Sequence, residues 1–207
     1  MDVQYTSEWY HWDKENEAAK ALIDRGCVII GQHADSTGAP SACEDALKAG
    51  TTVYSVGYNI DMLPYAPTAA LVSPTNEWHV CYEEMFRNVM AGNPVPANWA
   101  EGLAKDAVAL TELGSSCAAG TAEKLAEVEA ALRDGSLKVF DTATFTVNGE
   151  AVTTAQVDLS LIDFSDFSVI FPGDTVECIV DGAFDESTFR SAPYFALRID
   201  GITEDAE

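Results

Sequence analysis

Residues 27–40 read CVIIGQHADSTGAP. Cys27 to Gly31 form a short, continuous apolar run, the pattern of a parallel strand covered on both faces. Gln32 to Gly38 follow as a glycine-bounded loop of short polar residues, and Pro40 fits the first turn of a helix that ends near Gly50. A strand, a polar loop and a helix N-terminus in succession are one step of a βα repeat, so the flanking residues decide whether the chain is an α/β protein.

They repeat the step on both sides. Upstream, Asp2 to Thr6 reads as a strand and Asp13 to Asp24 as a helix, with Asp13 as N-cap, an apolar stripe of Ala18, Ala19, Leu22 and Ile23, and Gly26 as the stop. Downstream, Thr52 to Val56 is β-branched and aromatic, Ala69 to Ser73 offers another strand, and His79 to Ala91 reads as a helix with Val80, Met85, Phe86, Val89 and Met90 apolar. The order is βαβαβ, which predicts an α/β body with a parallel sheet flanked by helices. That body is expected over residues 1–92.

Residues 93–207 are expected to be a linker, a helix and a mixed, β-rich extension. Asn93 to Asn98 is turn-rich, and Thr121 to Arg133 places Leu125, Val128 and Leu132 on one helical face. Asn148-Gly149 between Phe145–Val147 and Glu150–Val152 is a strong hairpin signal, because both residues accept the positive φ of a type I′ turn. A second strand pair is expected to turn at Asp181-Gly182.

The chain has 207 residues, 34 of them acidic against 11 Lys and Arg, for a formal charge of -23. Phosphate backbones are bound through Lys and Arg, so the charge argues against nucleic acid and anionic membrane surfaces as partners. The first residues do not read as a signal peptide and no apolar stretch approaches the ~20 residues of a membrane span, so the chain is expected to be soluble. The five cysteines are widely spaced with no CxxC pair, which predicts free thiols and no zinc knuckle.

Ligands of open α/β sheets bind outside the C-terminal ends of the strands, so the loops there are the candidate site. Ser7 to Asp13 crowds Trp9, Tyr10 and Trp12 before a helix: either packing of an amphipathic loop or a stacking platform for a flat ligand, where a base on a ring gains roughly 1–3 kcal/mol. In Gln32 to Gly38, Asp35, Ser36 and Thr37 are either helix caps or hydrogen-bonding groups beside free helix N–H groups. This loop has neither GxGxxG nor a P-loop lysine. In GYNIDM, residues 57–62, Asp61 is either an Asx-turn former or a carboxylate for two cis hydroxyls. Ser73 to Trp78 adds Asn76 and Trp78. His11, His33 and His79, with Asp35 or Glu8, offer a metal or acid–base alternative, without supporting HExxH or Gly-x-Ser-x-Gly spacing.

These residues carry a resemblance. ALIDRGCVIIGQHADSTG (21–38), VYSVGYNIDMLPYAPTAALVS (53–73) and NEW (76–78) closely resemble the basic membrane protein (BMP) family of substrate-binding lipoproteins, purine-nucleoside receptors of ABC importers. SEWYHWDKENEAAKALID (7–24) looks like that family's aromatic loop and helix. LKVFDTATFTVNGE (137–150) and SAPYFALRIDGIT (191–203) are similar to the C-terminal extension of its longer members.

The resemblance implies a type I periplasmic binding protein-like lobe, in a two-lobed fold that closes on a nucleoside. It implies that Trp9 or Tyr10 stacks on the base, that Asp35 with Ser36 lies at the cleft, that Asp61 holds the ribose hydroxyls, and that Asn76 and Trp78 lie at the hinge crossing. It implies no cofactor, no metal and no chemistry, and an ABC permease as partner of the intact, extracytoplasmic, membrane-anchored lipoprotein. Against that family pattern the chain looks like a C-terminal portion, without the N-terminal lobe, the lipoprotein signal or the first strand and helix of the second lobe. The hinge lysine of many nucleoside-binding members has no counterpart in SPTNEW, residues 73–78. The apolar face of the His79–Ala91 helix, lacking its other lobe, is expected to be covered either by the β-rich tail or by a second copy, a homodimer being the favoured expectation. The rival expectation is a partner-binding or sensory module without a small-molecule ligand.

Overall fold

The computed structural model describes all residues except 98, 164, 167, 186–187, 189–191, 193–196 and 206–207. By compactness the chain forms two units, residues 1–134 with 203–207, and residues 135–202.

The first unit begins with β1 (Asp2–Gln4), α1 (Trp12–Asp24), β2 (Ile29–Gly31), α2 (Gly38–Lys48), β3 (Tyr54–Val56) and β4 (Ala70–Val72). β2, β3 and β4 make a parallel sheet in that order, with Ile30 opposite Ser55 and Ser55 opposite Ala70. The α/β body expected from the 27–40 stretch is therefore present, and its core joins Ile30, Val53, Ala69 and Ala70 to Ala19 of α1 and to Ala39, Ala42 and Cys43 of α2. Met62 and Ala66, from the β3–β4 connection, complete it. Burial pushes the Cys43 thiol up to about 12, so it is a neutral packing group at physiological pH. All five cysteines are free.

The helices meet closely. A Cβ on Gly38 would stand 2.3 Å from the Trp12 carbonyl oxygen, so only glycine lets the first turn of α2 lie against that of α1. Asn16 fixes the crossing by donating its side-chain amide to the Gly38 carbonyl at 3.0 Å.

Two sequence expectations are corrected here. His11, not Asp13, caps α1, its Nδ1 accepting the Lys14 N–H at 3.3 Å, and Asp13 falls in the first turn. Within the run 27–31 only Ile30 is buried, and Val28 and Ile29 are both exposed. Ile30 is 3% exposed, but Ile29 is 51% exposed, because both helices contribute to the cluster on the Ile30 side.

Next come β5 (Pro74–Asn76), α3 (Trp78–Ala91), β6 (Val108–Leu110) and α4 (Thr121–Arg133), with a 3-10 turn at Leu103–Lys105. β6 returns antiparallel to β5, Pro74 opposite Leu110 and Asn76 opposite Val108. The Arg133 guanidinium bonds the Leu103 carbonyl and pairs with Asp106 at 2.8 Å. The first unit therefore continues past residue 92, where composition alone places a boundary. α3 buries only Cys81, and its Trp78, Tyr82, Phe86, Val89 and Met90 are exposed.

The second unit is a set of short antiparallel pairs: β7 (Thr146–Val147) with β8 (Glu150–Ala151), β9 (Gln156–Asp158) with β12 (Thr175–Glu177), β10 (Leu161–Ile162) with β11 (Val169–Phe171), and β13 (Ile179–Val180) with β14 (Ala183–Phe184). Both expected hairpins form, with φ of 54° and 79° at Asn148 and Gly149 and of 49° and 77° at Asp181 and Gly182. A small core gathers Val157, Cys178 and Phe184, with Phe145 stacked on Phe184 at 6.2 Å. β15 (Thr203–Asp205) then rejoins the first unit and pairs in parallel with β1, Val3 opposite Glu204. β1 thus stands apart from the β2–β4 sheet.

Candidate functional site

Four loops carry the predicted residues, and hydrogen bonds or ring contacts chain them together. Asp35 donates its backbone N–H to the Trp9 carbonyl at 2.8 Å, which fastens the 32–37 loop to the aromatic loop. The His33 ring lies 4.6 Å from the Tyr58 ring, joining the 32–37 loop to the one after β3. Asn59 in turn donates its N–H to the Pro74 carbonyl at 2.8 Å, and Asn76 donates its side-chain amide to the Asn59 side chain at 3.3 Å. Loops far apart in sequence therefore form one continuous edge.

On that edge Trp9 and Tyr10 are 75% and 67% exposed. The packing alternative for the aromatic loop does not describe these two rings. Beside them the Lys14 ammonium, hydrogen-bonded to Glu8 at 2.5 Å, holds the Glu8 carboxyl below its usual range. Asp35 is exposed. Ser36 is 1% exposed and faces inward, its Oγ accepting the Gly38 N–H at 3.1 Å in a tight turn one residue before the Thr37 N-cap of α2, so it shapes the loop. Asp61 is exposed and forms the Asx-turn, Oδ1 accepting the Leu63 N–H at 2.9 Å. That turn fixes the carboxylate's position without removing it from solvent. Trp78 is the first residue of α3, its ring stacked 6.3 Å from Tyr82.

Sequence reasoning missed two supports. Gln32 turns its side-chain amide back onto the carbonyls of Ala34 and Ser36, at 2.6 and 2.8 Å, and so curls the loop. Glu15 is 2% exposed, and both its oxygens lie 3.2 Å from the Ser36 N–H, while Oε1 also accepts the His11 N–H at 3.1 Å. A signal for Glu15 was present: it precedes Ala19, Leu22 and Ile23 by four, seven and eight residues, which puts it on the buried face of α1.

The histidines are engaged structurally: His11 caps α1, His33 contacts Tyr58, and His79 lies 3.3 Å from Glu77. Among the described residues no group of three or more His, Cys, Asp or Glu is placed to hold a metal. What the edge offers is the exposed rings of Trp9, Tyr10 and Trp78, the exposed carboxylates of Asp35 and Asp61 and the Asn59–Asn76 amide pair. Such groups stack and hydrogen-bond a neutral, hydroxyl-bearing molecule.

A parallel sheet flanked by helices, with polar and aromatic loops beyond its strands, is an α/β lobe of the periplasmic-binding-protein type. Residues 1–136 match the family described as ABC transporter substrate-binding protein PnrA-like (Bmp), and the chain belongs to that family. A purine-binding protein of Brucella abortus (strain 2308) is 34% identical over 145 residues, 68% of this chain and 38% of the relative. A Haloferax volcanii protein, named provisionally as an ABC transporter glucose-binding protein, is 28% identical over 144 residues, 69% of this chain and 35% of the relative. The chain therefore spans little more than a third of the length of these curated relatives. Among solved structures, an ABC transporter solute-binding protein of Aeropyrum pernix K1 superposes with a TM-score of 0.54 at 15% identity, over 66% of this chain and 46% of that one, a likeness of fold alone. Among the described residues no helix is long and apolar enough to cross a membrane.

Proposed function

We propose that the chain is the ligand-recognising part of an ABC importer's receptor and that its loop edge takes a nucleoside, a purine nucleoside foremost. The Asp35-to-Trp9 backbone bond carries this reading, because it holds an exposed ring and an exposed carboxylate on the same edge. In the proposal Trp9 or Tyr10 stacks on the base, worth roughly 1–3 kcal/mol. Asp61 accepts ribose hydroxyls, Asp35 meets the base or sugar edge, Asn76 and Trp78 border the site, and Ser36 serves it by shaping the loop. Charge-assisted hydrogen bonds to Asp61 add about 1.5–3 kcal/mol each. No bond is made or broken, and no cofactor is required.

The purine-binding Brucella relative supports a nucleoside. The Haloferax relative favours a second reading, a sugar, which rings and carboxylates also suit. The receptor would deliver its ligand to a permease from an extracytoplasmic, lipid-anchored position. A second copy of the chain would cover the exposed face of α3, and light scattering behind a sizing column tests that pairing. A partner-binding module without a ligand is the remaining alternative. A thermal-shift panel of purine nucleosides, free bases and monosaccharides separates the readings. Stabilisation by guanosine or adenosine beyond guanine or adenine is expected, whereas stabilisation by glucose alone selects the sugar.

A further inference from the structure

We infer that Glu15 is the positioning residue of this site, a buried carboxylate that locks the aromatic loop and the 32–37 loop into one rigid platform; this rests on the reading of that edge as a ligand site. Burying a carboxylate is costly unless strong hydrogen bonds replace its water. A carboxylate that only capped α1 would need His11 and solvent. Glu15 instead reaches a backbone N–H 21 residues away, that of Ser36, with both oxygens, while Oε1 keeps the His11 N–H at 3.1 Å. His11 ends the aromatic loop, and Ser36 follows Asp35, so one side chain ties the two ligand-facing segments at their bases.

Its neighbours act in the same direction. Asn16, the next residue, holds the Gly38 carbonyl at 3.0 Å, and Asp35 holds the Trp9 carbonyl at 2.8 Å. The close approach at Gly38 leaves α1 and α2 little room to slide, so a loop released from Glu15 moves at its tip and not at its helix. Trp9 and Asp35 carry the exposed groups, and Glu15, which is buried, sets where they stand. Preorganisation of this kind raises affinity by removing the ordering cost at binding.

The test uses the 15N-labelled chain as wild type, Glu15→Gln and Glu15→Ala, with Val53→Ala as a core variant of comparable melting temperature. Amide hydrogen exchange is read at Ser36 and Asp35 and, for reference, at the sheet amides of Tyr54 and Ser55; guanosine affinity is read by calorimetry. Expected is exchange about tenfold faster at Ser36 and Asp35 in Glu15→Gln, more in Glu15→Ala, with the sheet amides within about twofold of wild type. Guanosine affinity falls about tenfold in Glu15→Gln but stays near wild type in Val53→Ala. Unchanged protection at Ser36 and Asp35, equal acceleration at Tyr54 and Ser55, or unaltered guanosine affinity in Glu15→Ala would each overturn the assignment. If wild type takes no guanosine, the nucleoside reading fails, and the exchange pattern alone still decides what Glu15 does.

Discussion

The carbonyl oxygen of Trp9 receives the backbone N–H of Asp35 at 2.8 Å, so an aromatic loop outside the parallel sheet is fixed to the loop that leaves β2. The bond is between backbones. Side chains at both positions are therefore free to serve a ligand, and substitution there tests binding without dismantling the loop. That separation of scaffold from contact groups underlies the predictions.

The scaffold depends on a second buried carboxylate. Glu44 accepts the N–H groups of Thr68 and Ala69 at 2.9 and 2.8 Å and lies 3.0 Å from the Lys48 ammonium. Burial pushes its pKa up, but the bonds from Ala69 and Thr68 and the Lys48 charge outweigh that and hold it below the usual range. Glu44→Ala strands two backbone donors, each worth about 1–3 kcal/mol, so urea denaturation should show a loss of roughly 2–6 kcal/mol. A loss under about 0.5 kcal/mol would mean that water replaces the carboxylate freely.

Such residues mark where the sequence is hard to read. The apolar run at 27–31, the α4 stripe and the turns at Asn148-Gly149 and Asp181-Gly182 are local patterns, and the observed elements follow them. Glu15 and Glu44 are charged residues in helices, a type that lies at the surface by default; the spacing of Glu15 marks the buried face, but the backbone donors that offset the burial of both carboxylates lie more than twenty residues away. The pairing of β1 with β15 joins the two ends of the chain, a contact that no local period encodes. His11 caps α1 although Asp13 carries the commoner capping side chain, a choice that local composition does not show. The placement of Trp9, Tyr10, Asp35 and Asp61 in loops that follow strands is legible locally, whereas the bonds that connect those loops are not.

The turn of the β7–β8 hairpin should loosen in acid. Asp200 accepts Thr146 Oγ1 at 2.6 Å, the Gly149 N–H at 2.8 Å and the Asn148 N–H at 3.1 Å, and these bonds, Thr146's foremost, hold its pKa below the ordinary aspartate value. A depressed folded pKa contributes stability that is whole above the unfolded value and is lost as pH falls through the folded one. The Gly149 amide resonance should therefore titrate with a midpoint below about 3.9 and not move between pH 5 and 8. A midpoint at or above that value would contradict the latch.

Salt should stabilise the fold. A charge of -23 repels itself, and the described ion pairs are few and mostly exposed, as Arg87–Glu83 and Lys124–Glu127 are. Raising sodium chloride from about 0.05 M to 1 M shortens the Debye length to about 3 Å. The melting temperature should rise by about 4 °C or more, roughly 1–2 kcal/mol for a protein of this size. A flat or falling value would show that the acidic groups are too dispersed to strain the fold.

Calorimetric titration of guanosine into the wild-type chain, Trp9→Ala and Tyr10→Ala tests the central claim most directly, with glucose as the competing ligand. The account predicts saturable heat with guanosine, none with glucose, and an affinity loss of about five- to a hundredfold in at least one of the two variants, the worth of one stacked base. Saturable heat with glucose and none with guanosine, or guanosine affinity untouched by both Trp9→Ala and Tyr10→Ala, would contradict it.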